Sequence, residues 1–153
     1  MIRRATINDI NDINKLLFLV HDIHVQIRPD IFIQGKKKYN DDEIKEIINS
    51  SSTPIFVYEL DGKVVGYAFL KIKTNKSIST LERKEVYIDD LCVDKDYQRK
   101  NIGFSLCEYV INYAKEINAD VVTLNVWEGN DAKAFYEKLG FTPQKIMMEK
   151  IIK

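Results

Sequence analysis

What this sequence lacks is an excess of charge of either sign. Its 153 residues carry 23 Lys and Arg against 23 Asp and Glu, and its pI is near 6.7. General nucleic-acid binding draws on positive charge gathered on one face, so the balance argues against a nucleic-acid partner. The one basic run, Lys36, Lys37 and Lys38 after Gly35, reads as a solvated loop between apolar segments. No apolar run approaches the roughly 20 residues that span a bilayer, and the N-terminal stretch lacks the apolar centre of a signal peptide. The expectation is a cytoplasmic protein with no membrane partner. Cysteine is scarce: Cys92 and Cys107 read as small buried hydrophobes in a reducing compartment, since neither has a histidine placed in a recognisable nucleophile motif. His21 and His24 stand three apart on one helical stretch without an evident third ligand, so no metal is expected. Repeats, low-complexity tracts and linkers are missing too, and the length fits one domain over residues 1–153.

What is present is the material of a globular core, 45% apolar and 30% charged. Residues 1–6 alternate weakly and predict a first strand. From Ile7, the residues Ile10, Ile13, Leu17 and Val20 share a helical face, with Thr6 or Asn8 available as a cap; the helix ends near Arg28 because Pro29 pushes its predecessor out of the helical region. A second short helix is predicted over residues 41–48, with Ile44, Ile47 and Ile48 on its apolar side. Two strands, 54–60 and 63–70, flank Asp61-Gly62, a strong hairpin signal. A polar tongue over 73–80 separates them from the centre of the chain. Further on, 120–127 reads as a buried strand, 132–139 as a short helix closed by Gly140, and 146–152 as a last strand completing the sheet.

The centre is residues 86–108. Ile88, Leu91, Cys92 and Val93 form a short apolar run that Asp94, Lys95 and Asp96 end with turn chemistry. From Ile102 the period becomes helical, through Leu106, Val110, Tyr113 or Ala114, and Ile117. Between them lies Gln98-Arg99-Lys100-Asn101-Ile102-Gly103. A loop opening directly into a helix aims unpaired backbone N–H groups and the positive end of the helix dipole at one point, where a phosphate can sit. Because a helix joins this strand to 120–127, the two should run parallel.

This loop resembles the pyrophosphate-binding segment of the GCN5-related N-acetyltransferase (GNAT) superfamily, with Gln98, Asn101 and Gly103 on its fixed positions. Asn101 stands where that family usually has glycine; asparagine tolerates the left-handed backbone region best among other residues, but its side chain crowds the phosphate's approach. Residues 130–141, Asn-Asp-Ala-Lys-Ala-Phe-Tyr-Glu-Lys-Leu-Gly-Phe, match a second family segment more closely. The resemblance covers most of the chain. It implies an α/β (α+β) fold with a single mixed, mostly antiparallel twisted sheet and helices on both faces.

The activity the resemblance implies is transfer of the acetyl group of acetyl-CoA, a cosubstrate, to a primary amine. Such an amine is mostly protonated at neutral pH and must first lose a proton, which a carboxylate can take directly or through water. The resemblance places an oxyanion donor at a backbone N–H around Cys92 and Val93, and makes Tyr136 the acid that protonates the departing thiolate. It further implies that acetyl-CoA is bound by Leu91, Cys92, Val93, Gln98, Arg99, Lys100, Asn101, Ile102, Gly103, Phe104, Ser105, Asn125, Asn130 and Tyr136. For the base, Asp89 and Asp90 are the candidates. On a regular strand they point to opposite faces unless a bulge re-aims one, and either could equally be a cap or a surface ion pair. Some members place a glutamate on the strand after the central helix; Asn125 in that region cannot serve. The acidic pair resembles that of diamine acetyltransferases, which implies a small cationic acceptor such as a polyamine. A protein amino group and a non-catalytic acetyl-CoA-binding module stand as alternatives, in a chain that is a monomer or a homodimer.

Overall fold

Alternate positions of the strands carry apolar side chains to both faces of the sheet, and the helices divide to cover them. The computed structural model describes residues 1–153. Its strands are β1 (Ile2–Arg4), β2 (Ile55–Leu60), β3 (Lys63–Ser77), β4 (Thr80–Val93) and β5 (Val121–Leu124). Its helices are α1 (Ile10–Ile27), α2 (Asp41–Asn49), α3 (Ile102–Glu116) and α4 (Ala132–Lys138). The strands lie in sequence order across one sheet, antiparallel throughout except for β5, which runs parallel to β4. This is the mixed sheet with helices on both faces that the sequence implies. No helix is long and apolar enough to cross a membrane.

On one face, Ile13 and Leu17 of α1 and Ile44 of α2 pack with Val57, Tyr67, Phe69 and Cys92. On the other, α3 sets Ile102 and Leu106 against Val65, and Cys107 and Val110 against Ala68, Leu70, Val86 and Ile88. Each fully buried aliphatic side chain here contributes on the order of 1.5–3 kcal/mol. The sheet and α3 pack tightly at Gly66, where a Cβ would stand 3.1 Å from both the Cys92 carbonyl oxygen and a Leu106 methyl. The Asp61-Gly62 turn has positive φ at both residues, 52° and 76°, as its hairpin role requires.

Three expectations need correction. The polar tongue over 73–80 is not a separate element: the β3–β4 ladder continues through it to the pair Ser77 and Thr80, because polar side chains suit a hairpin with both faces in solvent. The strand expected over 120–127 leaves its ladder after Leu124, where β4 and β5 diverge. Residues 146–152 form no strand. No backbone hydrogen bond involves residues 142–153, and Ile146, Met148 and Ile152 are 79%, 85% and 83% exposed. Their alternation suits a strand, but a strand needs a neighbouring one to pair with, and the chain brings none to them.

The entry to α1 rests on charge. Arg3 grips Asp9 with two hydrogen bonds of 2.8 and 2.9 Å and reaches Glu59 at 2.9 Å. Asp9 also accepts from the Thr6 N–H at 2.7 Å. These donors hold the buried Asp9 carboxyl below its ordinary range. Replacing Arg3 by Ala leaves that carboxylate without its main partner and is expected to cost about 1–3 kcal/mol. Urea titration at pH 7 checks this; repeated near pH 3.5, where Asp9 is increasingly protonated, the gap should narrow, because stability tied to a lowered carboxyl pKa disappears as pH falls.

Candidate active site

Strand β4 changes its facing partway along. Val86 and Ile88 pack against the α3 side, as do Leu91 and Val93, whereas Cys92 packs on the α1 side. Residues two apart on a strand share a face, so one residue between Ile88 and Leu91 must be extra. The ladder identifies it: Phe69 pairs with Asp90 and Leu70 with Ile88, which leaves Asp89 unpaired in a bulge. Both aspartates therefore lie on the α1 side of the sheet.

The two carboxylates differ in environment. Asp89 accepts a hydrogen bond from the Tyr39 hydroxyl and lies 3.0 Å from Lys38 Nζ and 3.5 Å from Lys71 Nζ. Burial alone would raise its pKa; the hydroxyl and the two ammonium groups outweigh that and hold it below the ordinary range. Asp90 accepts one side-chain hydrogen bond, from the Tyr67 hydroxyl at 2.8 Å, and burial pushes its pKa up to about 6. The tyrosines are linked through Phe69, which Tyr39 stacks on at 5.7 Å and Tyr67 meets edge-on at 4.8 Å. Tyr39, Tyr67 and Lys71 were not anticipated from the sequence. Tyr67 alternates correctly along its strand, yet nothing local marks it as the partner of a residue 23 positions away.

Where β5 departs, β4 has a free edge. The Asp94 N–H bonds the Val65 carbonyl at 2.8 Å, so by alternation Cys92 also donates into the β3 ladder while Leu91 and Val93 turn their N–H groups toward the gap. Of the two residues expected to offer an oxyanion donor, Val93 presents its amide to the opening and Cys92 does not. The Gln98 side chain bonds the Val93 carbonyl at 3.4 Å and ties the loop to the strand end.

The loop then turns through the left-handed region twice, at Arg99 (φ 69°) and Asn101 (φ 60°). Asn101 holds the conformation expected of a glycine there. The first intrahelical bond runs from the Ser105 N–H to the Asn101 carbonyl at 2.9 Å, and no backbone bond uses the N–H groups of residues 99–104. The first turn of α3 contains no acidic side chain. Free amides, the helix dipole and the nearby Arg99 and Lys100 suit this corner to an anion, and the arrangement fits a pyrophosphate. Gly103 sits beneath the Phe135 ring of α4, with a Cβ position 3.5 Å from it.

Tyr136 lies on α4 between Phe135 and Phe141, ring centroids 5.0 and 5.6 Å away, and burial raises its phenol above the ordinary range. Asn130 stands just before α4, its side-chain oxygen accepting from the Ala132 N–H at 2.9 Å. Asn125 donates to the Tyr87 hydroxyl at 3.1 Å. Burial raises both thiols, Cys107 to about 12, as inert core groups. His24, lowered by burial, packs on Phe32, which meets Trp127 edge-on at 5.6 Å; the Arg28 guanidinium lies 5.4 Å from the Trp127 ring. The segment after α1 thus reaches the residue where β5 has left the sheet.

The family model described as "Acetyltransferase (GNAT) family" matches residues 20–141, which include the bulge, the loop and α4. The chain belongs to this family. Among relatives, an uncharacterised N-acetyltransferase of Methanocaldococcus jannaschii is 30% identical over 150 residues, 95% of this chain and 62% of that protein. An N-alpha-acetyltransferase of Sulfurisphaera tokodaii is 33% identical over 108 residues, 67% of this chain and 64% of that protein. The chain thus spans less than two thirds of either relative's length. A crystal structure of a mutant BH1408 protein from Bacillus halodurans superposes with a TM-score of 0.96 at 32% identity, covering 100% of this chain and 99% of that one.

Proposed function

We propose that this member of the GNAT family is an N-acetyltransferase that carries the acetyl group of acetyl-CoA to a primary amine. The observation that carries the reading is the splay between β4 and β5. It brings free amides of β4, the open N-terminus of α3 and a carboxyl with a pKa near 6 to one region of the sheet. Residues 99–104 hold the pyrophosphate through their backbone N–H groups, with Arg99 and Lys100 adding charge. Acetyl-CoA supplies an activated thioester. Asp90, rather than Asp89, is the base: its pKa near 6 lets it be ionised at neutral pH and still accept a proton. The Val93 N–H meets the negative charge that develops on the carbonyl oxygen. Tyr136 donates its hydroxyl proton to the leaving sulfur.

The acceptor follows from Asp89. A polyamine drawn to this carboxylate has to displace Lys38 or Lys71, both already beside it. A substrate offering one amino group, such as a protein N-terminus, does not need that site. We therefore place a protein or peptide amino group ahead of the small polycation implied by the acidic pair; the N-alpha-acetyltransferase relative agrees with this order. Release of free CoA from acetyl-CoA across peptides, polyamines and aminoglycosides tests it. Turnover on peptides above that on spermidine is expected; the reverse order would restore the polyamine, and no turnover on any amine would leave a binding module.

Tyr136→Phe is expected to lower kcat about 10²-fold with little change in acetyl-CoA affinity. Steady-state kinetics beside calorimetry separate the two quantities. Full activity would reduce Tyr136 to a packing residue of α4.

A further inference from the structure

On the α1 side of the sheet, β3 presents Lys71 and Lys73 in line with Phe69, because residues two apart on a strand share a face. Lys71 stands opposite Tyr87 in the ladder, and Lys38 reaches the same ground from the connection between α1 and α2. Lys71 and Lys38 close on Asp89 from outside: their side chains are 43% and 44% exposed, that of the carboxylate 6%. A molecule arriving from solvent therefore meets two ammonium groups and not the acid beneath them. Lys73 faces Glu85 across the ladder, yet its Nζ turns to the Tyr87 ring, 4.4 Å from the centroid. An aromatic face holds a cation without cancelling its charge. Glu85 is engaged elsewhere, accepting from Asn75 at 3.0 Å and from the Thr123 hydroxyl. The Tyr87 hydroxyl accepts from Asn125 at 3.1 Å, which ties this cationic strip to the place where β5 departs.

We propose that Lys38, Lys71 and Lys73 form a binding site for carboxylates of the acceptor, and that the acceptor is a peptide amino terminus followed by acidic residues. The proposal rests on the reading of Asp90 as the place where the amine loses its proton. Asp90 pairs with Phe69, so Lys71 and Lys73 stand two and four residues farther along β3, about 7 and 14 Å away. A free amino acid holds its carboxylate within about 4 Å of its amine and falls short of Lys73. An extended peptide gains about 3.4 Å per residue, which brings the side chains of its second to fourth residues over the lysines. A carboxylate arriving there gains charge-assisted hydrogen bonds and displaces nothing, whereas a second cation on the acceptor must push Lys38 or Lys71 off Asp89.

The test uses peptides beginning Ser-Glu-Glu-Glu, Ser-Gln-Gln-Gln and Ser-Lys-Lys-Lys, with free glutamate alongside, on the native chain and on Lys71→Gln/Lys73→Gln and Lys71→Glu/Lys73→Glu variants whose melts remain cooperative. On the native chain, kcat/KM for the acidic peptide should exceed that for the glutamine peptide about ten-fold, through KM more than kcat, and the gap should shrink at about 0.5 M salt. The glutamine variant should erase the preference, and the glutamate variant should reverse it in favour of the lysine peptide. Equal kcat/KM on the acidic and glutamine peptides would overturn the proposal, as would a preference that survives both variants, or free glutamate as the best acceptor. Fluorescence anisotropy, with the peptides labelled at their carboxyl ends, separates the site from the chemistry. An acidic peptide that binds through the lysines and is not acetylated would overturn the reading of Asp90 and uphold the site; no selective binding and no turnover would overturn both.

Discussion

Asp90→Asn is expected to cost about 10³-fold in kcat and at the same time to make the folded protein more stable at pH 8. The loss follows from removing the proposed base, because an amide of the same shape cannot take the proton. The gain follows from burial. Asp90 is raised from 3.8 to about 6, so the unfolded chain ionises it first as pH rises, and the fold loses on the order of 3 kcal/mol between roughly pH 4 and 7. Asparagine carries no such charge, and its carbonyl can still accept from Tyr67. Thermal melts of the two proteins should therefore converge near pH 4 and separate as pH rises, up to about that limit. In the native enzyme the acid limb of kcat/KM should lie near pH 6 and vanish in the variant. A variant that keeps full activity, or a limb that stays, would move the base elsewhere.

Gly103→Glu should lower acetyl-CoA affinity by about 10³-fold. A carboxylate about 4 Å from a phosphate in a partly screened site is opposed by roughly 4 kcal/mol. Since a Cβ at this position meets Phe135 at 3.5 Å, an ordinary contact, Gly103→Ala separates charge from bulk and should bind within a few-fold of the native protein. Asn101→Gly, which relieves a left-handed asparagine, should bind equally or more tightly. Calorimetry on variants with intact cooperative melts decides. Unchanged affinity in the glutamate variant would place the phosphates elsewhere.

The parts of the fold that could be read from the sequence are those whose information is local. The helical face from Ile10 through Leu17, the Asp61-Gly62 turn and the change of period at Ile102 depend on neighbours within one or two turns, and each element stands where its pattern places it. The corner proposed to hold the pyrophosphate is local too, since one loop and one helix end build it. The environments of Asp89 and Asp90 are not. They depend on Tyr39 and Lys38, about fifty positions upstream, on Tyr67 and Lys71 of the neighbouring strand, and on a bulge that no single residue announces. The missing last strand failed for a related reason. Alternation in residues 146–152 reports that a strand is wanted, but the neighbour that would complete it is not a property of the segment.

The bulge at Asp89 makes the reading frame of β4 matter more than the identity of most of its side chains. Upstream of it, even-numbered residues serve the α3 core; downstream, odd-numbered ones do. A substitution at one site disturbs one face, but the loss of a residue shifts everything beyond it. Deletion of Asp89 would remove the extra residue and leave Ile88 and Leu91 two apart, so that Val86, Ile88, Leu91 and Val93 keep the α3 face of a regular strand at the cost of one carboxylate on the other. Deletion of one residue within either regular half, such as Cys92, has no such slack and would turn the residues beyond it to the wrong side. Tolerance in this strand should therefore differ by place: loss of one residue absorbed at the bulge and not absorbed on either side of it.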